Sequence, residues 1–369
     1  MQNRKHVLFL IPSLQGGGAE RFMVMLLKYL DRSKFLLSLA VVNKREAVYL
    51  KDLPKDVEFI DLGCSRVRQS LPKVIRIIWK LRPDVVFSTL GHLNLALAIV
   101  RPLLPNDVLY VARECAVVSL MPSAYSIPFW WFWAYRYFYK RFALVICQSN
   151  DMRDDLLQQF GFPAEKAVVI NNPCDEDYVR RMAGEVVKTG MVKKGANGAS
   201  IINLLAAGRL TKQKGFDLLI EAIAICGDPR LRLTLLGEGP VRAELQRLTE
   251  EKGLTDQVRI VGFKKNPYPY VAQADVFVLS SRFEGFPNVV LDALACGTPV
   301  IATPAPGGVR EILEGLEGCV LAESISAEAL AKALKSFTTG YRVNTEVIAT
   351  YSVGSIVQRY EQVLLDIKN

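Results

Sequence analysis

Short apolar runs alternate with segments of helical period along most of the chain. In the first half, seven of these runs have the length and the β-branched content typical of strands. The predicted strands are 6–11, 35–42, 57–62, 85–88, 108–111, 143–147 and 167–170. Because such runs are apolar on both faces, we expect a parallel sheet that is covered by helices on both sides.

The pattern stops in a small, polar and basic stretch at 184–200 and then resumes. The predicted strands of this second series are 201–206, 231–236, 258–261, 276–279, 300–302 and 319–321. We therefore predict an α/β protein of two Rossmann-like, doubly wound domains that face each other across a cleft, since ligands bind beyond the carboxyl ends of such strands. The predicted parts are a first domain at 1–183, a linker at 184–200, a second domain at 201–351 and a terminal helix, 352–369, that packs back on the first domain.

Length and composition agree with two domains and argue against several other classes of protein. The chain has 369 residues, and half of them are apolar. The start of the chain runs directly into a strand, and no apolar stretch of about 18 residues occurs, so we expect neither a signal peptide nor a membrane-spanning helix. Seven scattered cysteines and two histidines show no metal-ligand spacing, so we expect free thiols in a reducing, cytoplasmic compartment and no metal site.

The charge of the chain is concentrated in its first part. Residues 1–150 contain 21 Lys and Arg against 10 Asp and Glu, whereas the remainder contains 25 against 27. A basic half is typical of proteins with an anionic partner such as a membrane surface, a nucleic acid or a phosphorylated substrate. A solvated basic face without a partner is the alternative.

Three consecutive glycines, Gly16, Gly17 and Gly18, stand between the first strand and a helix. Glycines let the backbone approach a ligand closely, and a helix N-terminus favours negative charge. The loop is not a dinucleotide fingerprint, because Arg21 stands where Gly or Ala is required. Taken alone, this loop is equally consistent with a tight turn.

Two cations, Arg209 and Lys214, follow Gly208 at the end of the first strand of the second series. Arginine can hold phosphate oxygens through two N–H groups, and lysine adds a point charge. A solvated basic turn is the alternative. The position between a strand and a helix favours a phosphate-binding role.

The segment 282–301 carries the most chemical information. Glu284 precedes a predicted helix, and Pro287 is suited to a first helical turn. Asn288 and Asp292 are four residues apart and therefore share one helical face. The two carboxylates could accept hydrogen bonds from sugar hydroxyls on either side of an anion.

The start of this predicted helix offers backbone amides to that anion. An ordinary buried helix with an acid at its start is the alternative, and it leaves Glu284-Gly285 unexplained. The amides are those of Phe286, Asn288 and Val289.

Taken together, these segments resemble the family 4 retaining glycosyltransferases, which have the GT-B fold. The pattern from Glu284-Gly285 through Pro287 to Asp292, followed by Cys296-Gly297-Thr298-Pro299, is similar to the E-x₇-E signature of that family. Further pieces occur in the order of the family, at 16–20, 208–215, 236–240, 261–263 and 274–278. The resemblance is strong over 201–321 and looser in the first half.

The resemblance implies a catalytic role for three residues. Arg209 and Lys214 would bind the donor diphosphate and stabilise the departing nucleotide. Glu284 would contact hydroxyls of the transferred sugar, together with the amides of Gly285 and Phe286. No cofactor and no metal would be needed, since the nucleotide sugar is a substrate and the cations replace a divalent ion.

The resemblance also implies a set of donor-binding positions. Asp292 would hold the ribose hydroxyls, and Phe263 would lie against the base. The full set is Gly16, Gly17, Gly208, Gly262, Phe263, Gly285, Phe286, Pro287, Asn288, Val289 and Asp292.

Two positions depart from the family pattern. Asp292 is one methylene shorter than the usual Glu, so its ribose contact would be longer or bridged by water. Many relatives have a histidine after a first-domain strand, where this chain has Arg113-Glu114. His92 and Glu114 remain as further candidates for the cleft, although a lone histidine is more often structural.

The aromatic and basic segment 127–142 contains three of the four tryptophans and ends in Lys140-Arg141. Aromatic and basic side chains together suit the headgroup region of a bilayer. The segment therefore predicts either a peripheral contact with an anionic membrane, on the inner face of the plasma membrane, or an aromatic helix packed on the first sheet.

The resemblance implies transfer of a sugar, from a UDP-sugar, to a glycan or polyprenyl-linked acceptor in bacterial surface polysaccharide assembly, such as that of lipopolysaccharide or capsule. A nucleotide-sugar 2-epimerase would require more histidines than His6 and His92. A catalytically silent binding protein is disfavoured by the presence of Arg209, Lys214 and Glu284. The broken glycine fingerprint argues against a dinucleotide oxidoreductase, and no nucleic-acid recognition module is visible.

Overall fold

The computed structural model describes residues 4–15, 17–45, 47–121, 127–128, 130–192 and 200–368. The chain divides into two units. The first comprises Met1–Pro173 and Val353–Asn369, and the second comprises Cys174–Ser352.

A seven-stranded parallel sheet forms the centre of the first unit. Its order is β3-β2-β1-β4-β5-β6-β7, so the direction in which strands are added reverses between β1 and β4. The strands are β1 Lys5–Ile11, β2 Phe35–Val41, β3 Glu58–Asp61, β4 Val85–Thr89, β5 Leu109–Arg113, β6 Leu144–Cys147 and β7 Ala167–Val169.

Helices cover both faces of this sheet because successive strand residues point to opposite sides. Leu8 and Leu10 of β1 pack in one core, whereas Val7, Phe9 and Ile11 pack in the other. Helices α2 to α5 cover the first face, and α1 with the C-terminal helix covers the second. The bounds are α1 Gly18–Tyr29, α2 Val67–Leu81, α3 Gly91–Val100, α4 Trp130–Phe138, α5 Asn150–Phe160 and the C-terminal helix Val353–Asp366.

The second unit repeats the arrangement with six parallel strands in the order β10-β9-β8-β11-β12-β13. The strands are β8 Ile202–Ala207, β9 Leu231–Leu236, β10 Val258–Gly262, β11 Val276–Leu279, β12 Val300–Ala302 and β13 Val320–Leu321. The helices are α6 Glu176–Ala183, α7 Phe216–Cys226, α8 Arg242–Glu251, α9 Tyr268–Gln273, α10 Asn288–Ala295, α11 Val309–Leu313 and α12 Ala327–Ser336.

The predicted α/β class of two doubly wound sheets is confirmed, and every predicted strand is present with ends that differ by at most two residues. Among the described residues, three short α-helices were not predicted: α6, α9 and α11. Each has eight residues or fewer, too few turns to display a helical period in the sequence.

The boundary between the units lies earlier in the chain than the predicted end of the first domain at residue 183. Helix α6 belongs to the second unit because it packs against α9 and α10, with Val179 buried in that core. The predicted linker is described at 184–192 and at residue 200. Its first part also lies on the second unit, where the Thr189 hydroxyl donates to Gln273 Oε1 at 2.6 Å.

The C-terminal helix lies in the first unit, far from its neighbours in sequence. Tyr360 is fully buried, with its ring centroid 5.2 Å from that of Phe22 and 6.1 Å from that of Phe87. Glu361 accepts hydrogen bonds from the Asp31 N–H and from Lys34 Nζ, both at 2.8 Å. Apolar packing and polar contacts therefore both fasten this helix to the first sheet.

None of the helices in the described ranges combines the length and the apolar character that crossing a bilayer requires.

Tyr360→Ala should destabilise the first unit by about 3–5 kcal/mol, because it leaves a cavity between Phe22 and Phe87. All four tryptophans lie in the first unit, so guanidinium unfolding followed by tryptophan fluorescence reports on this unit alone. Tyr29→Ala, at a 43 % exposed tyrosine of α1, is the control. Similar unfolding midpoints for both variants would show that the C-terminal helix contributes little.

Candidate functional site

The carboxyl ends of β8 and β11 meet where the second sheet reverses its strand order. The loops that leave adjacent strands at such a point diverge, and the crevice between them is the usual ligand site of doubly wound sheets. Here the loop 208–215 follows β8 and the loop 280–287 follows β11. Both segments that the sequence singled out in this half are therefore neighbours.

Hydrogen bonds and a close backbone approach join these two loops. Ser280 Oγ donates to the Lys214 carbonyl at 2.9 Å, and the Arg282 N–H donates to the Gln213 carbonyl at 2.8 Å. Gly215 has a φ of +60°, and a Cβ atom there would lie 2.0 Å from the Ser280 carbonyl oxygen. Only glycine allows this approach, and the approach holds Lys214 in place against the second loop.

Lys214 and Glu284 form a partly buried ion pair across the two loops. Lys214 Nζ lies 2.6 Å from Glu284 Oε1, with 20 % of the lysine side chain and 7 % of the glutamate side chain exposed. The Ser281 hydroxyl donates to the same oxygen at 2.5 Å. Within the described residues Glu284 Oε2 makes no hydrogen bond, so one carboxylate oxygen remains for a ligand hydroxyl.

Arg209, the other cation of the first loop, is exposed. Its guanidinium has no hydrogen bond or ion pair with any described residue, so it is not built into the protein as Lys214 is. Gly208 lies beneath Lys214, because a Cβ atom at this glycine would be 3.4 Å from Lys214 Cε. The structure thus brings together Gly208, Lys214 and Glu284 and leaves Arg209 at the surface.

Arg282 is a positioning residue that the sequence reasoning missed. Its NH1 and NH2 groups donate to Asp217 Oδ1 at 2.8 Å and Oδ2 at 2.7 Å. Burial alone would raise the pKa of Asp217, but the hydrogen bonds and charge of Arg282 outweigh it and lower that pKa. The pair fastens the start of α7 to the loop 280–287. Its only sequence signal was an arginine directly before the Phe283-Glu284 pair.

The segment before α10 differs in detail from the prediction. Pro287 precedes the helix instead of lying in its first turn, since α10 begins at Asn288. The Asn288 N–H donates to the Phe286 carbonyl at 3.0 Å, so this amide is not available to an anion as predicted. The N–H groups of Phe286 and Val289 have no hydrogen bond in the described part of the chain.

Side chains around this helix divide between core and surface. The Phe286 ring is buried and lies 5.8 Å from the Tyr351 ring, so it supports the loop from behind. The Gly285 carbonyl accepts from the Gly308 N–H at 2.9 Å. Asp292 is half-buried one turn after Asn288 on the same face of α10.

Gly262 and Phe263 lie at the carboxyl end of β10. Strands β10, β9 and β8 are consecutive in the sheet, so this position is on the same edge as the ion pair. The Phe263 side chain is 73 % exposed, which leaves its ring free to stack against a planar ligand.

In the first unit, Gly17 immediately precedes α1, and Gly16 lies outside the described residues. His92 is exposed in the first turn of α3, and partial desolvation of its ring lowers the pKa. The structure therefore leaves His92 accessible at the carboxyl end of β4.

Glu114, by contrast, is not a surface residue. It is 1 % exposed and accepts hydrogen bonds from Asn94 Nδ2 at 3.2 Å, from the Tyr135 hydroxyl at 3.4 Å and from the Tyr139 hydroxyl. Glu114 was a candidate for the cleft, and the structure shows its carboxyl group covered by α3 and α4. Its visible role is to fasten these two helices to the end of β5.

Arg113, which precedes it, is fully buried and was not predicted as a functional residue. Its guanidinium donates to the Tyr360 hydroxyl and to Cys115 Sγ, both at 3.2 Å, and to Asn172 Oδ1. It also lies 3.7 Å from the centroid of the Phe22 ring. Neutral acceptors and the face of an aromatic ring surround the charge of Arg113. Through these contacts Arg113 links the ends of several strands with the C-terminal helix.

Among the described residues, no three His, Cys, Asp or Glu side chains are grouped in a way that could hold a metal ion.

Burial raises the pKa of Glu114 to about 7 from an ordinary 4.5, while its hydrogen bonds and Arg113 act in the opposite direction. Between these two values the folded chain retains a proton that the unfolded chain releases, so the free energy of unfolding falls as the pH rises. Glu114→Gln removes this titration. From about pH 4.5 to 7.5, we expect the stability of the variant relative to wild type to improve by up to about 3 kcal/mol.

Guanidinium unfolding at several pH values, followed by tryptophan fluorescence, measures this difference. Glu165→Gln, at an exposed carboxylate of the same unit, is the control. A constant difference between wild type and Glu114→Gln across the pH range would contradict the raised pKa.

Two family models match the chain. Residues 16–178 match Glycosyltransferase Family 4, and residues 193–350 match Glycosyl transferases group 1. Together the two matches span most of both units.

Several curated relatives are named as glycosyltransferases. Over 346 residues the chain is 29% identical to the N-acetylgalactosamine-N,N'-diacetylbacillosaminyl-diphospho-undecaprenol 4-alpha-N-acetylgalactosaminyltransferase of Campylobacter jejuni, with 88% of each chain covered. It is 30% identical over 214 residues to the putative colanic acid biosynthesis glycosyltransferase WcaL of Escherichia coli, covering 55% of this chain and 50% of that protein.

Solved structures share the fold at low sequence identity. Anabaena HepE in complex with UDP has a TM-score of 0.77 at 22% identity, covering 98% of this chain and 99% of HepE. The sucrose-phosphate synthase of Thermosynechococcus elongatus has a TM-score of 0.79 at 18% identity, covering 98% of each chain. The chain therefore belongs to the glycosyltransferases of the GT-B fold, with a Family 4 amino-terminal half and a group 1 carboxyl-terminal half.

Proposed function

We propose that this glycosyltransferase moves a sugar from a UDP-sugar to a glycan carried on a polyprenyl diphosphate, in the assembly of a surface polysaccharide. The Campylobacter relative is named for an acceptor linked to diphospho-undecaprenol, and the Escherichia relative for colanic acid biosynthesis. Structures of HepE contain UDP or UDP-glucose. These names support the choice of donor and acceptor class.

The observation that carries the proposal is the Lys214–Glu284 pair at the point where the second sheet reverses its order. In this pair a fixed cation lies beside a carboxylate whose second oxygen makes no hydrogen bond with the described residues. A nucleotide sugar has the matching chemistry, since its diphosphate is anionic and its sugar carries hydroxyl donors.

Each group then has a proposed partner on the donor. Glu284 Oε2 accepts a hydrogen bond from a hydroxyl of the sugar, while Lys214 Nζ, with its remaining N–H groups, faces the diphosphate. Arg209 has no partner among the described residues and adds a second cation from the surface. The Val289 and Phe286 amides contribute N–H donors at the start of α10.

The nucleoside end of the donor lies along the same sheet edge in this proposal. The exposed Phe263 ring stacks on the base, next to Gly262. Asp292 binds the ribose hydroxyls, through water where its shorter side chain does not reach.

The reaction requires stabilisation of charge more than covalent chemistry. Negative charge grows on the leaving diphosphate as its bond to the anomeric carbon breaks, and Lys214 and Arg209 stabilise it from fixed positions. We propose that these cations act without a divalent ion. Entry of the acceptor hydroxyl on the leaving-group side would retain the anomeric configuration. In this route the departing diphosphate oxygen accepts the proton of the acceptor hydroxyl.

We also propose that the enzyme works at the inner face of the plasma membrane, where a polyprenyl-linked acceptor is embedded. The excess of Lys and Arg in residues 1–150 supports an anionic partner for this half of the chain.

Lys214→Met should lower kcat by about 10²–10³, because it removes a preorganised cation from the leaving group. Lys212→Met is the matched control: this lysine lies in the same loop but is exposed and pairs with Glu244 at 3.4 Å. Release of UDP from a UDP-sugar mixture in the presence of lipid-linked acceptor measures turnover, and circular dichroism checks folding. Equal turnover in both variants would contradict the role of Lys214.

UDP, in preference to GDP or NAD, should raise the unfolding temperature of the wild-type protein in a thermal-shift assay. The same turnover assay should be unaffected by EDTA, and NMR of the product should show the anomeric configuration of the donor. Stabilisation by NAD alone, loss of activity with EDTA, or an inverted product would each overturn the corresponding part of the proposal.

A further inference from the structure

Helix α4 has one buried face and one exposed aromatic face. Ala134 and Tyr135 lie in the core of the first unit. Trp130, Trp133 and Tyr137 are between 50 and 58 % exposed, and the rings of Trp133 and Tyr137 stack with their centroids 5.3 Å apart. Large aromatic side chains that are exposed together are typical of a surface that contacts a protein partner or a membrane.

The exposed apolar surface continues onto the neighbouring helices, since α3 packs against both α4 and α2. Beside α4 an open groove of about 610 Å³ is lined by Ile99 of α3 together with Trp133, Tyr137 and Arg141. Leu103, which follows Ile99 by about one turn, is 62 % exposed. Its carbonyl accepts a hydrogen bond from Trp79 Nε1 of α2 at 3.0 Å. The Arg82 guanidinium lies 4.7 Å from the Trp79 ring.

Three helices of this layer, α2, α3 and α4, carry charges of one sign, whereas α5 in the same layer contains Asp151, Asp154 and Asp155. Helices α2, α3 and α4 contain no Asp or Glu. The exposed cations of these helices, together with Lys140 in the turn that follows α4, are Arg68, Lys73, Arg76, Lys80, Arg136 and Lys140. We call the exposed aromatic residues of α2 to α4, with these cations, the aromatic–basic face.

We propose that the aromatic–basic face docks on the surface of an anionic phospholipid bilayer. Trp and Tyr rings prefer the headgroup region, where their apolar body and polar edge are both accommodated. Each Lys or Arg near an anionic surface strengthens binding about fivefold. The biological purpose of this contact rests on the proposed function, because docking would bring the enzyme to a lipid-linked acceptor.

Charge decides between a bilayer and a second copy of the chain. If two aromatic–basic faces met, their cations would lie opposite one another without any carboxylate from α2, α3 or α4 to neutralise them. A bilayer that contains anionic lipid supplies the missing negative charge.

The buried face of α4 holds the helix in this orientation. The Tyr135 hydroxyl and that of Tyr139, just after the helix, donate to Glu114 at the end of β5, and Arg141 NH1 donates to the Ala98 carbonyl at 3.1 Å. The aromatic side chains are therefore presented on a rigid element, which reduces the entropy lost on docking.

Flotation of the purified chain with vesicles tests the proposal. The vesicles contain phosphatidylcholine alone or phosphatidylcholine with phosphatidylglycerol, without donor or acceptor. Wild type should float with the anionic vesicles, and less so as salt is raised. Arg136→Glu/Tyr137→Ala should reduce binding about tenfold or more, because it reverses one charge and removes one interfacial ring.

Lys28→Glu/Tyr29→Ala is the matched control. It changes an exposed lysine and tyrosine that lie together on α1, on the opposite face of the sheet, with Lys28 Nζ 5.1 Å from the Tyr29 ring. This variant should float like wild type. Equal flotation of both variants would overturn the proposal. So would flotation that occurs only when polyprenyl phosphate is added to the vesicles, or vesicle binding that single-stranded RNA abolishes by competition.

Thermal shift by UDP, measured on the same preparations, separates the two proposals. If the aromatic–basic face is wrong, flotation fails although UDP still stabilises each variant. If the proposed donor is wrong, UDP has no effect although the protein floats.

Discussion

Close contact between two loops at the carboxyl edge of the second sheet is the constraint on which the candidate site depends. Gly215 passes against the Ser280 carbonyl, and this approach brings Lys214 to Glu284 across a separation of 70 residues in sequence. A buried glutamate and a half-buried lysine would each lose favourable hydration if they were unpaired, and the ion pair offsets that loss. The second oxygen of this carboxylate and the exposed Arg209 leave an acceptor and a cation at this edge for the proposed donor.

In the first unit, a second set of buried polar groups attaches helices to the sheet. Arg113 and Glu114 stand side by side at the end of β5, but they contact different partners. Arg113 binds the C-terminal helix through Tyr360, and Glu114 binds α3 and α4 through Asn94 and Tyr135. Adjacent residues point to opposite sides of the sheet, so one dipeptide fastens the helix layers on both faces.

The two halves of the chain match different glycosyltransferase families, and they also differ in their functional features. The carboxyl-terminal half contains the motifs that resemble a donor site, whereas the amino-terminal half carries an excess of cations and the exposed aromatic residues of α4. Loops and helix surfaces can change while a doubly wound sheet persists, which explains how the fold is kept at 22% identity to HepE.

By itself, the sequence determined the alternation of strands and helices, the parallel character of both sheets, and the family, because periodicity and short motifs are local properties of the chain. It also placed Lys214 and Glu284 at strand ends, where ligands bind. Only the tertiary structure decided that these two residues pair, that Glu114 is buried under α4 and that α6 belongs to the second unit. The reason is that each of these depends on contacts between segments far apart in sequence: Arg113 and Tyr360, for example, are 247 residues apart. No local pattern encodes a contact across such a sequence separation. The contact forms only when the packed sheet brings the strand ends and the terminal helix together.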